Sequence, residues 1–273
     1  MKAHHCSRKS LTFEALEAKQ LMAGDVAIGA DGGNLFLMGD DADNQIAITN
    51  AQLPGAIAVV GLADTTVTLG GQTHAPGTPA VISGFRGNFV AHLNAGNDLV
   101  RIDGLAVRGR ATILTGPGDD TVAVSQLIAR RGLHVNAGVG DDSIVVDGVR
   151  TPRHVSLAGG PGSDNIVVQN TVARRGLAVQ AGHGIGDGDD QVVVHQSRSS
   201  RARISTGLGD DVVRITDAAL GHLAVNLGAG DDDLALGGIA VPGRAFLNGG
   251  LGEDTLTELA SNHIRPGQVV NFA

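Results

Sequence analysis

The chain has 273 residues, a net charge of -8, 41 glycines, no Trp or Tyr and an aromatic content of only 2%, so a globular core filled by rings is excluded. Its 42% of apolar residues are chiefly Val, Leu, Ile and Ala, which suit a narrow core of short β-branched strands. The negative charge argues against nucleic acid as a partner, the single Cys6 excludes an internal disulfide framework, and no apolar run approaches the ~18 residues of a membrane-spanning helix.

Residues 1–24 form a leader segment. "RKSLTFEALEAKQLMAGD" predicts a short amphipathic helix from Thr12 to Met22, with Phe13, Leu16 and Leu21 on one side, and it lacks the apolar run of a secretory signal. Leu11, Phe13, Glu14, Leu16, Glu17, Leu21, Ala23, Gly24 and Asp25 resemble the N-terminal segment of planctomycete extracellular proteins, with Lys19 standing where that pattern usually has Arg. The resemblance covers under a tenth of the chain. It implies an extracellular or cell-surface location and nothing about activity; an ordinary leader helix remains the alternative.

Residues 25–93 read as divergent N-terminal capping coils. Asn44 lies two residues before Ile46 and Thr65 two before Val67, a pattern that becomes regular further on, and "GQTHAPGTPA" is a Gly/Pro-rich loop between them and the array.

From 94 to 260 one unit recurs. Its aligned acidic residues are Asp98, Asp120, Asp142, Asp164, Asp190, Asp211, Asp232 and Asp254, spaced 22, 22, 22, 26, 21, 21 and 22 residues apart. A fixed period of this size marks a repeat architecture. Counting from each aspartate, +2 and +4 are apolar, as in Val100 and Ile102, Ile144 and Val146, or Val213 and Ile215, which predicts one strand of period 2 per repeat. A second strand precedes the turn, with Ala111 and Ile113 or Leu133 and Val135 at -9 and -7. A weaker third inward position falls at +7, at Leu105, Leu127, Val149, Ala218 and Ile239. The expectation is an all-β parallel β-solenoid of coils about 22 residues long, with the choice between a three-sided helix and a flattened roll left open. Residues 261–273 form a C-terminal cap, ending in the short strand "QVVNFA".

The turn before each aspartate is glycine-rich. "GGPGSDNIV" and "GGLGEDTLT" match the GGxGxDxUx nonapeptide at every defined position, and the other six copies match in part. These strings resemble RTX-type calcium-binding repeats, and the resemblance implies that the eight aligned aspartates are calcium ligands, together with turn carbonyls. The chain departs from that family in carrying the motif once per coil, on one edge only. Charge supplies a separate argument, because the aligned positions and their neighbours hold 15 of the 28 carboxylates. Stacked about 4.8 Å apart, adjacent pairs would cost roughly 3 to 4 kcal/mol each at an effective dielectric near 20. The carboxylates are therefore expected either to diverge into solvent or to hold cations between them. Calcium suits an all-oxygen site and zinc does not, for want of His or Cys spacing. The plainer alternative is that Gly and Asp are simply good turn residues.

The opposite corner of the coil is basic: Arg108 and Arg110, Arg130 and Arg131, Arg150, Arg153 and His154, Arg174 and Arg175, then Arg198, Arg201 and Arg203, with His222 and Arg244. Such a stripe suits a cell-wall or extracellular polyanion, a sulfated or carboxylated polysaccharide, gripped through bidentate contacts. The alternatives are a solvated face or pairing with neighbouring aspartates. Aromatic platforms for neutral sugars are not expected. Some parallel β-helices degrade polysaccharides in the manner of pectate lyases, and the best local break in the repeat is "GHGIGDGDD", with His183, Asp187 and nearby His195. No second catalytic residue type converges on it at matching offsets, so the sequence favours a non-catalytic structural or adhesive solenoid.

Overall fold

The structure, a computed structural model, describes residues 24–51, 55–265 and 267–272. The predicted leader helix lies outside these residues. Among the described residues strands alternate with turns, bends and short irregular segments, and no helix occurs.

Each coil has three sides. In the coil that contains Asp120, the first side is Ala111–Pro117, the second Thr121–Ser125 and the third Ile128–Ala129. The next coil repeats them as Leu133–Val139, Ser143–Asp147 and Arg150–Thr151. Equivalent strands pair in parallel, with Ala111 against Leu133, Val122 against Ile144 and Ala106 against Ile128, so the register advances by one repeat at every step. Three sheets of 13, 11 and 8 strands result. This settles the open choice in favour of the three-sided form.

The alternation read from the sequence places the core correctly. The apolar residues read at +2, +4, -9 and -7 from Asp98 to Asp232, among them Val100, Ile102, Ala111, Ile113, Ile144, Val146, Leu223 and Val225, are buried, whereas in the last coil Leu256 is half-buried and Glu258 exposed. The third side buries two positions rather than one. Beyond Leu105, Leu127, Val149, Ala218 and Ile239 at +7, residues Val107, Ala129, Ala173, Leu220 and Val241 at +9 also point inward. Thr151 and Ser199 share that ladder and interrupt its apolar pattern; their hydroxyls are satisfied locally, Thr151 Oγ1 accepting from the Arg153 amide at 3.0 Å and Ser199 Oγ donating to the Arg201 carbonyl at 2.7 Å.

The corner between the second and third sides is a one-residue left-handed turn at +6. Gly104, Gly148 and Gly238 occupy it in three coils, and Gln126, Asn170, Gln196 and Asp217 in others with φ near 50°. The corner between the first and second sides is tighter. Gly138 and Gly140 have φ of 133° and 139°, and a Cβ built on Gly138 would lie 1.8 Å from the Gly116 carbonyl oxygen. Only glycine allows the stacked turns to approach this closely.

The N-terminal end departs from the expected pair of coils. Asn34–Met38 and Gln45–Asn50 do form a first coil around Asn44, parallel to the coil of Asp98. Thr65 does not begin a second coil. Ala56–Gly61 turns back antiparallel on Gln45–Asn50, Ala80–Ser83 pairs antiparallel with it, and Thr66–Leu69 pairs antiparallel with Gln72–His74. Reversed strands of this kind break the uniform edge onto which another parallel coil would add.

Candidate functional site

The eight aligned aspartates are stacked, as the repeat requires, but they neither diverge into solvent nor face it. Every one is at most 2% exposed. Offset zero has the parity of +2 and +4, so a strand that buries those positions carries the aspartate inward as well.

One oxygen of each carboxylate is fully used. The amide of the aligned residue in one coil donates to Oδ1 of the next aspartate: Asn44 to Asp98, Asp98 to Asp120, Asp120 to Asp142, and onward through Asp164, Asp190, Asp211 and Asp232 to Asp254, at 2.7 to 3.1 Å. A second ladder at -1 runs the other way. Asp119 donates its amide back to Asn97 Oδ1, Asp141 to Asp119 and Asp231 to Asp210, at 2.8 to 3.0 Å, with these side chains exposed. Two counter-running ladders thus cap the turn amides that no strand pairing can reach.

The other oxygen has no such partner. Oδ2 of all eight aligned aspartates is buried and meets no donor. The first rung shows what this place requires, because Asn44 stands there instead of aspartate. Its Nδ2 donates to the carbonyls of Asp40, Ala42 and Leu93, at 3.0, 2.6 and 3.2 Å. The Asp164 rung is built alike: a Cβ on Gly39 would meet Asn44 Nδ2 and the Leu93 oxygen, and a Cβ on Gly159 would meet Asp164 Oδ2 at 2.0 Å and the Ala181 oxygen at 2.7 Å. A carboxylate oxygen set among carbonyl oxygens lacks a hydrogen between acceptors.

Burial accordingly pushes these carboxyls up, against the pull of the amide bonds: Asp98, Asp164 and Asp232 to about 7, Asp142 and Asp190 to about 8. Repulsion from adjacent rungs adds to the rise, as Asp164 and Asp120 do at Asp142. Burial raises Asp120 and Asp211 only to about 6, the Thr115 and Thr206 hydroxyls being near enough to bond the carboxylate when they turn from their backbone partners. Those hydroxyls donate to the Ala137 and Leu227 carbonyls, at 2.9 and 2.7 Å, which still leaves Oδ2 without a donor.

A calcium shell at these rungs would have to be completed by the turn carbonyls. Calcium takes six to eight oxygens at about 2.3 to 2.6 Å, whereas each rung offers one free carboxylate oxygen. At the first rung the Asn44 amide rests directly on its carbonyls at hydrogen-bond distance, with no gap for an ion. Among the described residues no three His, Cys, Asp or Glu side chains group as a metal site would need.

Among the described residues no hydrogen bond or ion pair joins His183, Asp187 and His195 to one another. Asp187 Oδ2 accepts the Leu208 amide at 2.8 Å, while His195 Nδ1 lies 2.8 Å from Thr216 Oγ1 and 3.7 Å from Asp217 Oδ2. His183 is exposed. The basic corner is placed as expected, with Arg108, Arg110, Arg130, Arg131, Arg174 and Arg175 all exposed. Pairing with neighbouring aspartates does not occur: among the described residues the one ion pair is that of His195 with Asp217.

Compared with protein-family models, with curated proteins and with solved structures, the chain matches none. The RTX and planctomycete resemblances therefore stand on their motifs alone.

Proposed function

We propose that the chain is a non-catalytic structural solenoid acting at the cell surface or outside the cell, a stiff rod that carries other chemistry on its faces. The observation that carries this reading is the unbroken acid ladder, which joins the first coil to the Asp254 coil through eight amide-to-carboxylate bonds. An array whose turns are closed by its own side chains has no need of a metal to hold them together. The location rests on the leader motif in residues 1–24.

The calcium expectation divides from this reading in one experiment. Metal analysis of the purified full chain, with thermal melts in calcium, in chelator and in sodium at matched ionic strength, should find no stoichiometric calcium and equal melting temperatures. Calcium-specific stabilisation, which a ligand bound only to the folded state must produce, would overturn the metal-free reading and restore the RTX one.

A further inference from the structure

The basic corner is not a flat stripe. Two adjoining depressions, of about 1060 and 570 Å³, share His154 and Arg175 and run as one groove along the first sheet at its junction with the third. The residue just before the first inward one of each strand tracks its length: Arg110, Gly132, His154, Gly176, Arg201, His222 and Arg244. Seven rungs at about 4.8 Å per step span about 29 Å. Arg131, Arg153 and Arg175, one residue earlier in three of these coils, add a second row of cations.

Three features point to an anionic ligand. No Asp or Glu lines either depression. No arginine in the groove lies within 4.0 Å of a carboxylate, since the sole ion pair among the described residues is elsewhere. Seven unpaired guanidinium groups crowded on one face of a chain with net charge -8 repel one another until something neutralises them. Their planar forks match carboxylate and sulfate oxygens two at a time.

The floor favours sugars over phosphodiester. The outward residues Ala178 and Ala224 give it a small apolar surface over the buried Leu177, Ala202 and Leu223, and Phe246, 39% exposed, stands at one end of the same outward ladder. This ring is the platform that composition alone does not reveal, because one aromatic in the right place suffices to stack a sugar face. Glycines keep the notch open: a Cβ on Gly176 would come 2.7 Å from His154 Nδ1. His222 Nδ1 accepts the Arg244 amide at 3.0 Å, which leaves its Nε2–H as a donor to a hydroxyl. Along the rungs Arg110, His154 and Arg201 recur every second coil, about 9.6 Å apart. An extended polysaccharide turns like substituents to one side at every second sugar, a repeat of the same order.

We infer that this groove binds an extended acidic polysaccharide, with arginines on its carboxylate or sulfate groups and Phe246 against a sugar ring. The test uses the full chain and four probes: heparin, polygalacturonate, neutral dextran and a short DNA duplex, titrated calorimetrically at two salt concentrations. The expected result is salt-sensitive binding of heparin, polygalacturonate or both, and of neither dextran nor DNA; the preferred probe tells sulfate from carboxylate. The triple variant Arg175→Ser, Arg201→Ser, Arg203→Ser should weaken binding at least roughly tenfold, as loss of bidentate contacts predicts. A control with the same charge change outside the basic corner, Arg101→Glu with Arg214→Ser on the second side, should stay within about twofold, since exposed charges at a distance are screened. Phe246→Ala should weaken binding by a factor that salt does not alter. No binding of either acidic polysaccharide, DNA bound as tightly as they are, or equal losses in the groove variant and the second-side control would each overturn the assignment.

Discussion

Replacing Asp142 by Asn tests the acid ladder directly. Asp142 is 2% exposed, its Oδ2 has no donor, and burial raises its pKa from 3.8 to about 8. The folded chain therefore holds a proton that the unfolded chain has released above about pH 4. Stability contributed by the neutral acid is complete below the unfolded value and is lost as pH rises toward the folded one. The slope is about 1.4 kcal/mol per pH unit per rung, so between pH 5 and 8 this one residue costs on the order of 4 kcal/mol. That is a large share of a usual stability of about 5 to 15 kcal/mol. Adjacent rungs repel, so protons leave the ladder in coupled steps.

Asn keeps the Oδ1 acceptor for the Asp120 amide and puts a permanent donor where Oδ2 stands, the arrangement already present at Asn44. Melting followed by far-ultraviolet circular dichroism from pH 5 to 9, in chelator, should show the parent melting temperature falling with pH. The variant should match the parent at pH 5 and melt several degrees higher at pH 8, at about 2 to 4 °C per kcal/mol for a chain of this class. A parent curve that is flat or rises between pH 5 and 8, or a variant less stable at pH 8, would refute the reasoning.

The turns provide two further checks. Gly138→Ala forces a Cβ to within 1.8 Å of the Gly116 oxygen at φ 133°, so it should cost at least about 3 kcal/mol and show as a lower melting temperature and faster proteolysis. Gln126→Gly relieves a left-handed residue with φ of 50° and should stabilise by about 1 kcal/mol in denaturant titration.

Much of this architecture is legible in the residue pattern, and the failures have physical causes. Alternation fixes which side chains of each strand share a face, so the ladders of Val100, Ile102, Ile144 and Val146 follow from spacing alone. The inward +9 ladder is hidden where Thr151 and Ser199 replace apolar residues, because backbone groups within two residues satisfy their hydroxyls. The aspartates are misplaced when charge is weighed before parity. Asp141 and Asp142 are chemically identical neighbours, yet one is exposed and the other buried, and their even or odd distance from Ile144 is the signal that separates them. The antiparallel cap leaves no such signal, since Ala56–Gly61 alternates like any coil strand and only its partners reverse. The groove is legible only in part: Phe246 and Arg203 both lie eight residues before an aligned aspartate, so the repeat sets them on one outward ladder, but no spacing rule says that this ladder sinks into a groove.

Opposite charges in a repeat protein can neutralise each other across a sheet, and here they do not. The first sheet ends in carboxylates at one corner and in guanidinium groups at the other, separated by the width of its seven-residue strands. The two corners relieve their charge by different means. At the acid corner the inner carboxylates are enclosed, donate no charge to the surface when protonated, and spend an oxygen each on the neighbouring turn. At the basic corner guanidinium groups cannot lose a proton at any ordinary pH, so enclosure would leave them charged and they stay exposed. An exposed row of fixed positive charge with no internal partner is stabilised only from outside, by salt or by a ligand. For that reason the acid corner belongs to the solenoid's own stability, and the basic corner is where the proposed polysaccharide would act.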